Sequence, residues 1–234
     1  MSFDGRYSQD DFVLKYICLW AYGYINGFGY SEGVYSSITN LSIGEPDVSK
    51  ILDVGCGVGR TAFDLSKLYP NAMIKGIDAS EKMIYYANML NSREEKECDN
   101  IEFADFENIK FKIPLFKRKN IVFEKLSYDT SQSNTEQYDI ITNVNYLDRC
   151  NNIIQSVRNF YLNLKKRGIV VGATPLNFRG RTAYTANELR RIFLDVGFIE
   201  EVFFDNLPYF EVMDSRRSGE FYNIACFKYR KPKC

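Results

Sequence analysis

The stretch KILDVGCGVGRTAF, residues 50–63, decides the fold. An apolar run stops at Asp53, glycines follow at alternate positions, Gly55, Gly57 and Gly59, and an amphipathic helical pattern begins at once. A buried strand, a tight turn and a helix N-terminus in that order form a place where a nucleotide-like ligand touches backbone. Glycines at 55 and 57 let the chain curl under a ligand's tail, where a Cβ would occupy the ligand's space. A dinucleotide fingerprint would put its third glycine one residue later, where Arg60 stands, which weakens a dehydrogenase reading.

Working outward, strand and helix alternate: KILDV, a helix over about 59–69, AMIKGID, a helix over about 80–93, then NIEFAD. This rhythm predicts a parallel sheet with helices on both faces. Residues 107–137 interrupt it with KFKIPLFKRK, NIVFEKLSY and DTSQSNTEQ, and read as an insertion, a β-hairpin with a loose loop. The alternation resumes with YDIITNV, a helix over about 150–166, GIVVGATP, and a helix led by Thr185 with Glu188 three residues on, a capping-box pattern. Two closing runs, FIEEVFFDNL and GEFYNIACFKYR, predict an antiparallel pair at one sheet edge.

Before the motif, YSQDDFVLKYICLWAYGYI reads as an N-terminal helix with Ser8 as N-cap, and the glycine- and tyrosine-rich NGFGYSEGVYSSI as a mobile cover. The expected division is a helix and lid over residues 1–45 and a catalytic domain over 46–234, together one structural unit.

Composition narrows the function. The 234 residues are 45% apolar, and 30 basic against 30 acidic side chains leave no net field to attract nucleic acid or anionic lipid. The run Phe12 to Ile25 contains Lys15 and is too short for a membrane span. The 6 cysteines lack the paired spacing of zinc or redox sites, and no secretory leader is read, so reduced thiols in a cytoplasmic protein and no metal are expected. Histidine is absent, so any base must be a carboxylate, a tyrosine or a thiol. Oligomeric state stays open.

Asp53 with Gly55, Gly57 and Gly59 resembles the first motif of class I S-adenosylmethionine-dependent methyltransferases. The resemblance implies a Rossmann-like, doubly wound α/β fold: a mostly parallel seven-stranded sheet of order 3-2-1-4-5-7-6, last strand antiparallel. It also implies S-adenosyl-L-methionine as cofactor and S-adenosyl-L-homocysteine as product. Asp53 would hold the ligand's ammonium directly or through water, with Cys56 and Arg60 beside it. Asp78, ending the next strand, suits both hydroxyls of a ribose, or else only caps the following helix. Ala79 and Met83 would lie along the adenine, Asp105 and Phe106 would meet its amino edge, and Met83 and Phe106 read equally as core. Asn143 and Val144 complete the cofactor set.

In the same family the end of the fourth strand faces the acceptor, which makes Asn145 and Asp148, with Tyr24, the catalytic candidates. No proline follows Asn143 or Asn145, against the signature of enzymes that methylate exocyclic amines of nucleic acid. Short pieces of the chain also look like the mercaptohistidine N-methyltransferase module of ovothiol biosynthesis, through Asn145, Asp148, Arg149, Arg216 and Arg217. That implies a small carboxylated or zwitterionic nitrogen acceptor, such as a histidine derivative, bound by Trp20, Tyr30, Arg149, Arg216 and Arg217. The alternatives are a non-enzymatic S-adenosylmethionine-binding regulator and a protein or RNA methyltransferase.

Overall fold

The computed structural model describes residues 9–92, 101–103, 109–129, 137–176, 184–212 and 217–233. Helix α1 (Asp10–Lys15) runs straight into a π-helical turn, Tyr16–Ala21, followed by two 3-10 turns, Gly23–Asn26 and Gly29–Ser31. The expected cap Ser8 lies outside the described residues, and α1 starts from Gln9, whose side chain makes no capping bond. Helix α2 (Glu32–Ser42) comes next and buries Val34, Tyr35 and Ile38 in the same core as Ile51 and Phe63. The stretch 26–38 is therefore packed structure rather than the mobile cover expected. Spacing of one and four residues puts these side chains on a single helical face, and each buried one contributes roughly 1.5–3 kcal/mol. The glycine count hid that face.

Then follow β1 (Lys50–Val54), α3 (Arg60–Leu68), β2 (Met73–Asp78) and α4 (Glu81–Leu90). Strands β3 (Ile101–Phe103) and β4 (Ile109–Phe111) form a separate two-stranded antiparallel sheet. After them come β5 (Ile121–Lys125), β6 (Tyr138–Val144), α5 (Ile153–Asn163), β7 (Leu164–Pro175), α6 (Ala186–Val196), β8 (Ile199–Val212) and β9 (Gly219–Arg230). The main sheet has seven strands in the order β5-β2-β1-β6-β7-β9-β8. Strands β5 to β7 of that order pair in parallel, while β9 runs antiparallel to both β7 and β8. This is the predicted Rossmann-like order, with β5 as its third core strand.

That last point corrects the strand assignment. NIEFAD was expected beside β2 and 107–137 as an insertion, yet β5, inside the supposed insertion, occupies the position. The reason is a fit of shapes. A Cβ on Gly59 would come 2.5 Å from the Phe123 ring, and one on Gly76 would come 2.6 Å from it. The two bare glycines make the seat for Phe123, and no other residue type leaves that room. As an edge strand, β5 buries Ile121 and Phe123 and exposes Val122, and this alternation resembles a hairpin arm when read alone.

One boundary also moves. Helix α5 ends at Asn163 rather than near 166, because Leu164 is already buried and paired with Tyr138 in the sheet. The capping box forms as expected: the Glu188 N–H donates to Thr185 Oγ1 (3.2 Å) and the Thr185 N–H donates to Glu188 Oε2 (2.7 Å). At the other edge, Pro208–Val212 and Gly219–Asn223 pair with each other beyond Pro175, the end of β7. The β8–β9 hairpin therefore projects past the carboxyl edge of the sheet, the edge on which the glycine turn lies.

Candidate active site

The glycine turn leaves β1 at Val54 and enters α3 at Arg60. Gly57 has φ 53° and Gly59 has φ 84°, in the region that disfavours side chains. The turn is pinned from beneath, since the Cys56 N–H donates to the Ile77 carbonyl (3.0 Å) and the Gly59 N–H to that of Cys56 (2.9 Å). Cys56 is buried and its thiol pushed far up by desolvation, so it packs and does not react.

Asp78 stands against this turn. Its Oδ2 accepts from the Gly57 N–H (3.0 Å) and its Oδ1 from the Ser80 N–H (2.8 Å). Burial raises its pKa; those N–H groups, then the positive charge of Arg149, oppose the rise. Each carboxylate oxygen keeps a lone pair for a ligand hydroxyl. Ala79 follows half-buried, and Met83 lies in the core with its N–H on Ser80 Oγ.

Asp53 behaves differently from the expectation. Its side chain is turned inward at 1% exposure and accepts from Thr142 Oγ1 (2.8 Å), so it joins β1 to β6 instead of reaching a ligand ammonium. Desolvation pushes its carboxyl up to about 7, against hydrogen bonds from Thr142 and the Ala62 amide. A raised carboxyl pKa means the folded state binds more protons than the unfolded chain between about 4 and 7. Its contribution to stability is then complete below the ordinary pKa of 3.8 and lost as pH rises through about 7. Asp53→Asn keeps the size and the acceptor oxygen. Urea unfolding is expected to show the wild type losing stability between about pH 4 and 7 relative to that variant, and parallel curves would refute this.

Arg60 is likewise not a cofactor residue in its side chain. Arg60 is 6% exposed, and its guanidinium donates to both Glu32 oxygens (2.9 and 3.0 Å), to Asp64 Oδ2 (2.7 Å) and to the Ala21 carbonyl (2.6 Å). Tyr24 and Tyr35 each lie 4.6 Å from it, ring face toward the charge. The residue that opens the helix after the glycine turn thus binds the N-terminal segment. Tyr24 is committed to the same contact, and burial raises its hydroxyl pKa, so it is no proton acceptor near neutrality.

At the end of β6 the side chains part. Asn143 is fully buried on the face opposite Thr142, facing Gly172, and its amide atoms have no hydrogen-bond partner among the described residues. Strand alternation sends it away from the turn, correcting its place in the cofactor set. Val144 is half-buried opposite Ala173. Asn145 takes φ 53° and donates its N–H to the Ala173 carbonyl (2.8 Å). Asp148 is buried 3.7 Å from Arg149 Nε.

The remaining candidates gather where the N-terminal segment meets the β8–β9 hairpin. Trp20 packs edge-on against Tyr209 (5.8 Å), Tyr30 edge-on against Phe210 (5.0 Å), and the Arg217 guanidinium lies 5.4 Å from the Phe28 ring. Asp105, Phe106 and Arg216 lie outside the described residues.

Three contributors escaped the sequence reading. Tyr16 lies over Gly57. Tyr146 packs on Gly55, where a Cβ would come 3.0 Å from its own Cβ. Asp129, four residues past β5, accepts from the Tyr146 hydroxyl (2.7 Å) and the Asn151 N–H (2.8 Å), fixing the turn after β6. A correct third strand would have pointed to Asp129; Tyr16 and Tyr146 carried no signal beyond adjacency to named residues.

A glycine cradle, an acidic strand end beside it and this sheet order define a class I S-adenosylmethionine-dependent methyltransferase. A methyltransferase-domain family model matches residues 47–196, and the chain belongs to that family. Malonyl-[acyl-carrier protein] O-methyltransferase of Bacillus cereus is 26% identical over 125 residues, 53% of this chain but 37% of that relative's length. The N-methyltransferase NodS of Bradyrhizobium japonicum, solved with S-adenosyl-l-homocysteine, is similar in fold with TM-score 0.64 at 15% identity, covering 98% of this chain and 100% of that one. The [4+2]-cyclase SpnF is similar with TM-score 0.61 at 15% identity, covering 86% of this chain and 81% of that one. The narrower resemblance to the mercaptohistidine module finds no support in these matches. Among the described residues no helix is long and apolar enough to cross a membrane.

Proposed function

We propose that this methyltransferase moves a methyl group to a nitrogen, or another heteroatom, of a small carboxylated or zwitterionic metabolite. One observation carries the reading: Asp78, the Asn145–Arg149 turn and the aromatic seam of the β8–β9 hairpin meet at the carboxyl edge of the sheet. In this reading the acceptor lies among these rings with Arg149 and Arg217 as its polar partners, a set that suits an apolar or cationic body with a carboxylate. The N-methyltransferase name of NodS agrees with a nitrogen acceptor. Net charge of +0 gives no footprint for RNA.

When bound, S-adenosylmethionine supplies a methyl group on a sulfonium, ready for in-line displacement. The residues of the chain then have to position and enclose. Asp78 and the backbone around Gly55 and Gly57 hold the cofactor, and Arg149 and Arg217 orient an acceptor carboxylate. Asp148 takes or steers the acceptor proton, although alignment alone can carry much of the rate. Residues 1–45 act as the cover of the site and 46–234 as the methyltransferase domain, in one unit. Their common hydrophobic core, from Val13 to Cys226, supports this.

The test is incubation with methyl-labelled S-adenosylmethionine and a panel of small amines, amino acids and imidazoles. Label recovered on a carboxylated amine or imidazole is expected. Label recovered only on protein or RNA would replace this reading.

A further inference from the structure

The N-terminal segment is fastened to the glycine turn at neighbouring residues. Tyr22 O–H donates to the Val58 carbonyl (3.1 Å), and Arg60 Nη1 donates to the Ala21 carbonyl (2.6 Å). Between these ties and α1, the π-helical turn Tyr16–Ala21 carries Tyr16 over the bare face of Gly57. The three atoms nearest to a Cβ built there all belong to the Tyr16 ring and hydroxyl, at 3.5, 3.8 and 4.0 Å. π-Helical turns are rare and recur at functional sites.

The ring is held from more than one side. Its centroid lies 4.8 Å from that of Trp20, and its hydroxyl is hydrogen-bonded to that of Tyr35. Tyr35 is in turn fixed under the Arg60 guanidinium, 4.6 Å away. Any ligand that uses the missing side chain of Gly57 must lie against Tyr16.

We propose that Tyr16 is a cofactor-contacting residue, the roof of the Gly57 cradle, touching the amino-acid end of S-adenosylmethionine. The proposal rests on the methyltransferase reading of that cradle. It also makes the N-terminal segment a fixed wall of the cofactor site, set by Tyr22, Tyr35 and Arg60.

The experiment is calorimetric titration of the purified full chain, Tyr16→Phe and Tyr16→Ala with S-adenosylhomocysteine, with a thermal melt of each. Tyr16→Phe preserves the ring and its packing but loses the bond to Tyr35, so it is expected to fold and melt slightly below the wild type, and to bind about tenfold more weakly, the loss of one hydrogen bond to a charged group. Tyr16→Ala is expected to bind more weakly still. If both variants bind as tightly as a wild type that binds well, Tyr16 does not touch the ligand and the proposal falls, while the cofactor reading stands. A wild type that binds no S-adenosylhomocysteine would remove the cofactor reading itself.

Discussion

Arg60→Met is expected to lower the thermal midpoint by roughly 6–12 °C, the equivalent of about 3 kcal/mol in a chain of this size. The guanidinium holds Glu32, Asp64 and the Ala21 carbonyl at once, and it stacks under Tyr24 and Tyr35. Methionine keeps the unbranched stem and removes every donor. Two carboxylates are then left facing each other across a half-buried gap, and breaking such a pair costs about 3–5 kcal/mol when both partners are fully buried. The Glu32 and Asp64 side chains retain 33% and 19% exposure, so the lower end of that range applies. Arg60→Lys should recover only part of the loss, because one ammonium cannot span the same partners. Combining Arg60→Met with Glu32→Gln should cost less than the two changes summed, since the second removes the stranded charge. Additive losses would mean that Arg60 acts by packing alone.

Gly59→Ala is expected to destabilise by about 3 kcal/mol, from two sources that can be separated. The residue has φ 84°, where a Cβ costs about 1–2 kcal/mol. That same Cβ would stand 2.5 Å from Phe123 and 3.0 Å from Phe63, an overpacking worth about 1–3 kcal/mol. Phe123→Leu in the same chain should return part of the second cost and none of the first. Urea unfolding of the single and double variants measures both. If Phe123→Leu gives no relief, β5 does not lie against α3 as described, and the assignment of Ile121–Lys125 as the third core strand is wrong.

Much of this architecture was legible because it is written in local patterns. The turn at Gly55–Gly59, the acidic end of β2, the Thr185–Glu188 capping box and the two closing strands each declare themselves within a dozen residues. The third core strand did not. Its position depends on Phe123 finding Gly59 and Gly76, residues more than forty positions earlier, and a half-exposed edge strand alternates like a hairpin. Helix α2 was hidden by its neighbouring glycines, although Val34, Tyr35 and Ile38 already had helical spacing.

The candidate site was legible in position more than in the direction of its side chains. Asp78 stands where its spacing placed it. Asp53, Arg60 and Asn143 sit in the right segments but face inward, because the burial and pleat that decide direction come from partners elsewhere, Thr142, Glu32 and Gly172. Tyr16 reached the cradle through a π-helical turn, a winding that a 3.6-residue period cannot announce.

We propose that the cradle at Gly55–Gly57, closed by Asp78, binds S-adenosylmethionine. Calorimetric titration of the wild type and of Asp78→Ala with S-adenosylmethionine and S-adenosylhomocysteine tests it most directly, with a melt to show that the variant is folded. Saturable binding of both ligands by the wild type, weakened at least about a hundredfold in folded Asp78→Ala, is the predicted result, since two hydroxyl contacts to a carboxylate are lost. Equal binding by the two proteins, or none by the wild type even with a metabolite extract present, would mean that this cradle is not the cofactor site.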